Sequence, residues 1–210
     1  LQRRRQRQMC IRDRPMTASF VETRFGAVNK PTAHVKTTKD ITLGFINLNN
    51  SEKLNKSSKV WVFQSSSEIP ASLLQNISID SKDFLEQLNS HGRSLKSSFK
   101  LLYNHFLIIA VENSKNEITG CSIDTITRFV KNLELKYNLS FFDRLIVKYK
   151  KNNEDIKSTS LNEFKTICKT KMIDDDITVF NNLVKNIDEL ENIWETNIHN
   201  SWLKRFLDDA

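Results

Sequence analysis

Phe106-Leu107-Ile108-Ile109-Ala110-Val111 is apolar at all six positions. The run is far short of the ~18 to 20 apolar residues of a membrane span, and no other stretch comes closer. With no polar alternate it reads as a strand buried on both faces, hence a central strand. Val60-Trp61-Val62-Phe63 has the same character and reads as a second central strand.

The segments around these two runs carry one-sided patterns. Leu95, Ser97, Phe99, Leu101 and Tyr103 share one face of a strand with Lys96, Ser98 and Lys100 on the other, and Asn104-His105 can turn that strand back into the 106–111 run. Leu145, Val147 and Tyr149 alternate in the same way with Ile146, Lys148 and Lys150. Between the strands, Asp80 is placed to cap a helix carrying Phe84, Leu85 and Leu88 and ending near His91, before Gly92. A second helix is expected from about Ser122 or Asp124 to Asn138, with Ile126, Phe129, Val130, Leu133 and Tyr137 at helical spacing.

The order strand, helix, strand, strand, helix, strand is that of a ferredoxin-like split βαβ within an α+β class, a single antiparallel sheet with first and third strands central. The Lys-bearing strands then fall on the edges, where lysine discourages further pairing. A C-terminal helical extension follows. Ser160-Leu161-Asn162-Glu163 is a capping box, Ile177 to Phe180 a further strand, and 188 to 194 a last helix leading to Trp202, Phe206 and Leu207. That late apolar bulk predicts a docked tail.

Charge divides the chain. Residues 1–40 hold ten Lys or Arg against three Asp or Glu, so the net +7 lies wholly there; residues 41–210 hold 22 of each. Seven of the eleven Arg fall in the first 24 residues. Residues 1–14, Leu1-Gln2-Arg3-Arg4-Arg5-Gln6-Arg7-Gln8-Met9-Cys10-Ile11-Arg12-Asp13-Arg14, resemble translated sequencing-adapter DNA, and 1–40 is read as an artefactual or disordered leader. The alternative is a basic arm that folds on nucleic acid, which is a partner only if the leader is genuine. Residues 41–58 read as a linker or edge strand, and 59–207 as one α+β domain. Cys10, Cys121 and Cys168 are odd in number and unclustered, which fits a reducing, cytoplasmic setting without a disulfide framework.

Several segments together, Lys59-Val60-Trp61-Val62-Phe63-Gln64-Ser65, His91-Gly92, Gly120-Cys121-Ser122-Ile123-Asp124, Thr178-Val179-Phe180-Asn181-Asn182-Leu183-Val184, Ser201-Trp202 and Arg205-Phe206-Leu207, resemble a family of small bacterial proteins often labelled "ABC transporter ATPase". The resemblance spans about residues 41 to 207. That label implies nucleotide hydrolysis, which needs a GxxxxGK[ST] loop. The four glycines, Gly26, Gly44, Gly92 and Gly120, provide none, so ABC-type ATPase activity is not expected.

The segment with most chemical content is Gly120-Cys121-Ser122-Ile123-Asp124. A thiol at a helix N-terminus is held toward thiolate by the partial positive charge there. In a split βαβ, His91 ends the first helix at the same sheet edge, so Cys121, His91, Ser122 and Asp124 form a candidate thiol-centred catalytic site. The other account is that Gly permits the turn, Ser and Asp cap it, and Cys121 fills a small space. No cofactor or metal is expected: the histidines lack ligand spacing, His105 lies at the opposite edge, and Asp174-Asp175-Asp176 reads as a solvated turn. A rival function is a protein-interaction module, or a homo-oligomer, using Trp194, Trp202 and Phe206. The sequence does not decide whether the chain is an enzyme, and it points to no membrane partner.

Overall fold

The computed structural model describes Phe45 and residues 53–208, apart from 91–92, 113–119, 152–154, 171 and 173–175. All of these lie in one compact unit, His34–Ala210. Their elements in chain order are β1 (Lys59–Gln64), α1 (Ala71–Glu86), β2 (Asn89–Ser90), β3 (Arg93–Ser94), β4 (Ser97–Leu102), β5 (Phe106–Val111), α2 (Gly120–Tyr137), β6 (Ile146–Lys150), β7 (Lys157–Ser160), α3 (Leu161–Lys169), β8 (Thr178–Phe180), α4 (Ile187–Ile193), β9 (Glu195–Asn197) and α5 (Arg205–Asp208). Two short 3-10 turns, Ile198–Asn200 and Trp202–Lys204, join β9 to α5.

The chain is α+β with antiparallel sheets. The first has the order β1-β5-β4, with Lys59 opposite Val111 and Leu102 opposite Phe106. All six residues of β5 are buried, because its two faces meet two different layers. Leu107, Ile109 and Val111 pack with Ile77 and Leu85 of α1 and Ile126, Val130 and Leu133 of α2. Phe106, Ile108 and Ala110 pack on the other side with Phe45, Ile187, Leu190 and Trp194. At roughly 1.5 to 3 kcal/mol per large buried side chain, this strand anchors both layers.

The fourth strand of the pattern goes elsewhere. β6 was expected at the open edge of β1; it pairs instead with β7 and β8 in a second sheet of order β7-β6-β8-β9. The edge of β1 is covered by 185–187, through Val60 N–H to the Lys185 carbonyl (3.0 Å) and Ile187 N–H to the Ser58 carbonyl (3.2 Å). Gln64 joins the two sheets, donating to the Ile146 carbonyl (2.9 Å) and accepting from Asn182 (2.8 Å). So β6 is central in its sheet and its lysines do not guard an edge. Val147 and Tyr149 enter a third core with Phe164, Cys168, Val179 and Phe206.

Helix limits follow their caps. The capping box is present at α3: the Ser160 hydroxyl accepts from Glu163 N–H, and the Glu163 carboxylate accepts from Ser160 N–H. The first helix departs from expectation. It starts at Ala71 after Pro70, whose fixed φ suits a helix entrance, and ends at Glu86. Asp80 is therefore mid-helix, where it ties α1 to α2 by accepting from Lys136 Nζ (2.7 Å) and Tyr137 OH (2.7 Å). No helix among the described residues is long and apolar enough to cross a membrane.

Candidate functional site

The thiol-centred group is only partly in view. Cys121 lies in the first turn of α2, which begins at Gly120, so Ser122 and Asp124, expected to cap the helix from its start, are inside it. Ser122 beside it is buried and Asp124 is exposed, so the two residues occupy opposite sides of the helix and do not converge. His91 and Gly92 lie outside the described residues, as do Asp174 and Asp175. Among the described residues no three His, Cys, Asp or Glu side chains are grouped to hold a metal ion.

A second constellation forms where the β4–β5 turn meets β6. Tyr103 and Asn104 both have positive φ, 55° and 56°. The left-handed region is tolerated by Asn but disfavoured for a bulky aromatic, at a cost of order 1 to 3 kcal/mol. The turn is held from three sides. His105 N–H donates to the Leu102 carbonyl (3.0 Å), Ile69 N–H to the Asn104 carbonyl (2.7 Å) and Ser65 N–H to the His105 carbonyl (2.8 Å). The Asn104 amide donates to Glu68 Oε1 (3.2 Å), and the Tyr103 hydroxyl donates to Glu195 on β9. From this turn the side chains of Tyr103 and His105 both reach β6.

They meet Lys148 and Lys150. Both lysines are buried, 2 % and 8 % exposed, on the face of β6 opposite Val147 and Tyr149. Lys150 Nζ donates to Glu195 Oε2 (2.7 Å) and to Tyr103 OH (3.2 Å), and stands 4.6 Å from the centre of the Tyr103 ring. Lys148 Nζ lies 3.0 Å from His105 Nδ1 and donates to Ser158 Oγ (2.5 Å), its cross-strand neighbour on β7. Among the described residues no carboxylate lies within ion-pair distance of Lys148. The two lysines thus share a face and differ in what neutralises them.

Protonation follows from this contrast. Burial pushes Lys148 down to about 8, against the pull of the Glu68 carboxylate. Burial, and then the charge of Lys148, push His105 down to about 4. Near neutral pH the proton therefore sits on Lys148, and the ammonium donates to a lone pair on Nδ1, which puts the imidazole hydrogen on Nε2. Nδ1 also lies 3.3 Å from the Ser67 carbonyl. When Lys148 gives up its proton, Nδ1–H can donate to that oxygen instead. Ser67, Glu68 and Ser158 are exposed, so the buried amine lies one residue below the surface.

Sequence reasoning missed this group because it treated the lysines of β6 as a solvated face and His105 as a remote turn residue. No local signal marked it, because the turn that closes over the lysines is set by left-handed backbone at Tyr103 and Asn104. At the C-terminus, Trp194 is fully buried, its Nε1 donating to Asn182 Oδ1 (3.2 Å), and Phe206 is buried. Trp202, expected to pack on the domain, is 50 % exposed, with the Arg205 guanidinium 5.0 Å from its ring centre and 4.8 Å from that of Phe206. No protein-family model, curated protein or solved structure matches the chain.

Proposed function

We propose that this chain is a small-molecule binding protein whose ligand is a monoanion, a small carboxylate, received by Lys148, His105 and Ser158 between the two sheets. The observation that carries the reading is the contrast on β6: Lys150 has Glu195, whereas Lys148 is as deeply buried and has only neutral partners. A buried ammonium with no carboxylate in contact is destabilising, and an arriving carboxylate supplies the contact that the more distant Glu68 does not. Glu68 and Glu195 nearby argue against a dianion. Positive φ at Tyr103, tolerated to bring the turn onto β6, fits a site where strain serves placement.

The test is thermal stability in millimolar lactate against chloride at equal ionic strength. Lactate raises the Tm of the wild type and leaves that of Lys148→Met unchanged, since a ligand stabilises only the state that binds it. Equal shifts in both proteins would sink the reading.

A second reading, an interaction module or homo-oligomer using the C-terminal region, is favoured by the half-exposed Trp202 under Arg205. Truncating Trp202 to Ala would then lower the sedimentation coefficient with no loss of folding stability; an unchanged coefficient refutes it. As for architecture, we read β1, β4 and β5, in the spatial order first, third, second, as a split βαβ whose fourth strand has been recruited to a second sheet. The thiol at Cys121 stays a candidate for reactivity. Its place in the first turn of α2 supports that reading.

A further inference from the structure

We propose that Lys148 is an imine-forming amine and that its ligand is a small 2-oxo acid, with His105 carrying the proton. The inference rests on the carboxylate reading above and names the ligand's second functional group: the amine attacks in its neutral form, and the imine nitrogen, once protonated, restores the positive charge that pairs with the ligand's carboxylate.

A primary amine condenses with a carbonyl only when it is neutral, uncommitted to a carboxylate and beside a group that can move protons. Lys148 meets these conditions geometrically: its amine is held by His105 Nδ1 at 3.0 Å and Ser158 Oγ at 2.5 Å, with no ion pair among the described residues. Lys150 fails the second condition, being tied to Glu195 at 2.7 Å. The charged and titratable groups around Lys148 are His105 and Tyr103 from the turn, Glu68 from the segment after β1, Lys150 on its own strand and Glu195 from β9.

With a folded-state value near 8, Lys148 is about one-tenth neutral at pH 7, whereas a lysine at its ordinary 10.5 is neutral about once in 3,000 molecules. The advantage in free amine is roughly 300-fold. The steps balance. The Nζ lone pair attacks the carbonyl carbon and the C=O π pair moves to oxygen. His105 Nδ1 takes one proton from nitrogen and delivers it to the alkoxide, giving the carbinolamine, then takes the second and delivers it to the hydroxyl, which leaves as water while the nitrogen lone pair closes the double bond. The product is the C=N bond, with one water formed per imine and no net oxidation.

The experiment incubates the full chain with pyruvate and sodium cyanoborohydride at pH 7 and maps the reduced adduct by peptide mass spectrometry. The expected adduct is at Lys148, forming at least tenfold faster than at any other lysine, with a rate that rises through a midpoint near pH 8. His105→Gln slows it several-fold and flattens that profile. Lys148→Arg keeps the cation and forms no adduct there. Labelling that falls on exposed lysines while Lys148 stays unmodified, or a rate at Lys148 that climbs without a break to pH 10, would overturn the proposal. Lactate separates the two failures. If lactate raises the Tm through Lys148 and pyruvate leaves no adduct, the imine is wrong and the carboxylate reading stands; if neither acts, both fall.

Discussion

Lys148 and Lys150 leave the same face of one strand two residues apart, yet removing their charges has opposite consequences. Lys150 and Glu195 are a buried, bonded pair, so Lys150→Met leaves a carboxylate without its partner and costs about 3 kcal/mol. Lys148 has no such partner to abandon: Ser158 reaches solvent, and Nδ1 of His105 can turn its hydrogen to the Ser67 carbonyl. Lys148→Met therefore raises stability at pH 7 by about 1 to 3 kcal/mol, as expected when an unpaired buried cation gives way to an apolar side chain. Urea unfolding of the two variants reads both signs. Destabilisation of Lys148→Met as large as that of Lys150→Met would show that Lys148 is a structural tie.

At the level of elements, what was legible was what local chemistry determines. The apolar run of β5, the Ser160 to Glu163 capping box and the helical spacing from Ile126 to Tyr137 each carry their own instruction, and each became the expected element, whereas the apolar run of β1 became a strand at the edge of its sheet instead of the centre. The first helix was misplaced by ten residues at its start because Asp80 has the chemistry of a cap. Its carboxylate is in fact spent across space on Lys136 and Tyr137 of α2. β6 was legible as a strand and illegible in its setting. Alternation gives two faces but not which is wet, and a lysine face is solvated unless another element closes over it. Here the closing element is the Tyr103 to His105 turn, more than forty residues away in sequence, and its position depends on left-handed backbone at Tyr103 that no local preference announces. The candidate site was therefore beyond a strand-by-strand reading. The Cys121 turn was visible because it is local.

For the whole molecule, the placement of Lys148 and His105 between two sheets makes folding stability a function of pH with an unusual maximum. His105 has a folded value of about 4 against 6.5 when unfolded, so as pH falls below 6.5 the unfolded chain takes up the proton first and stability drops until pH 4, by up to about 3 kcal/mol. Lys148 has a folded value of about 8 against 10.5. Between those values the unfolded chain again holds more protons, so stability rises with pH through that window. Tyr137 and Tyr149, both raised above 10, act in the opposite sense once they begin to ionise in the unfolded chain, and cut the rise off above pH 10. The expected optimum is thus near pH 9 to 10, above the common range of about pH 5 to 8. Unfolding free energies measured from pH 4 to 11 should show an acid limb that shrinks in His105→Gln and an alkaline rise that vanishes in Lys148→Met. An optimum at pH 6 with the same shape in both variants would mean that the two sheets do not enclose the amine.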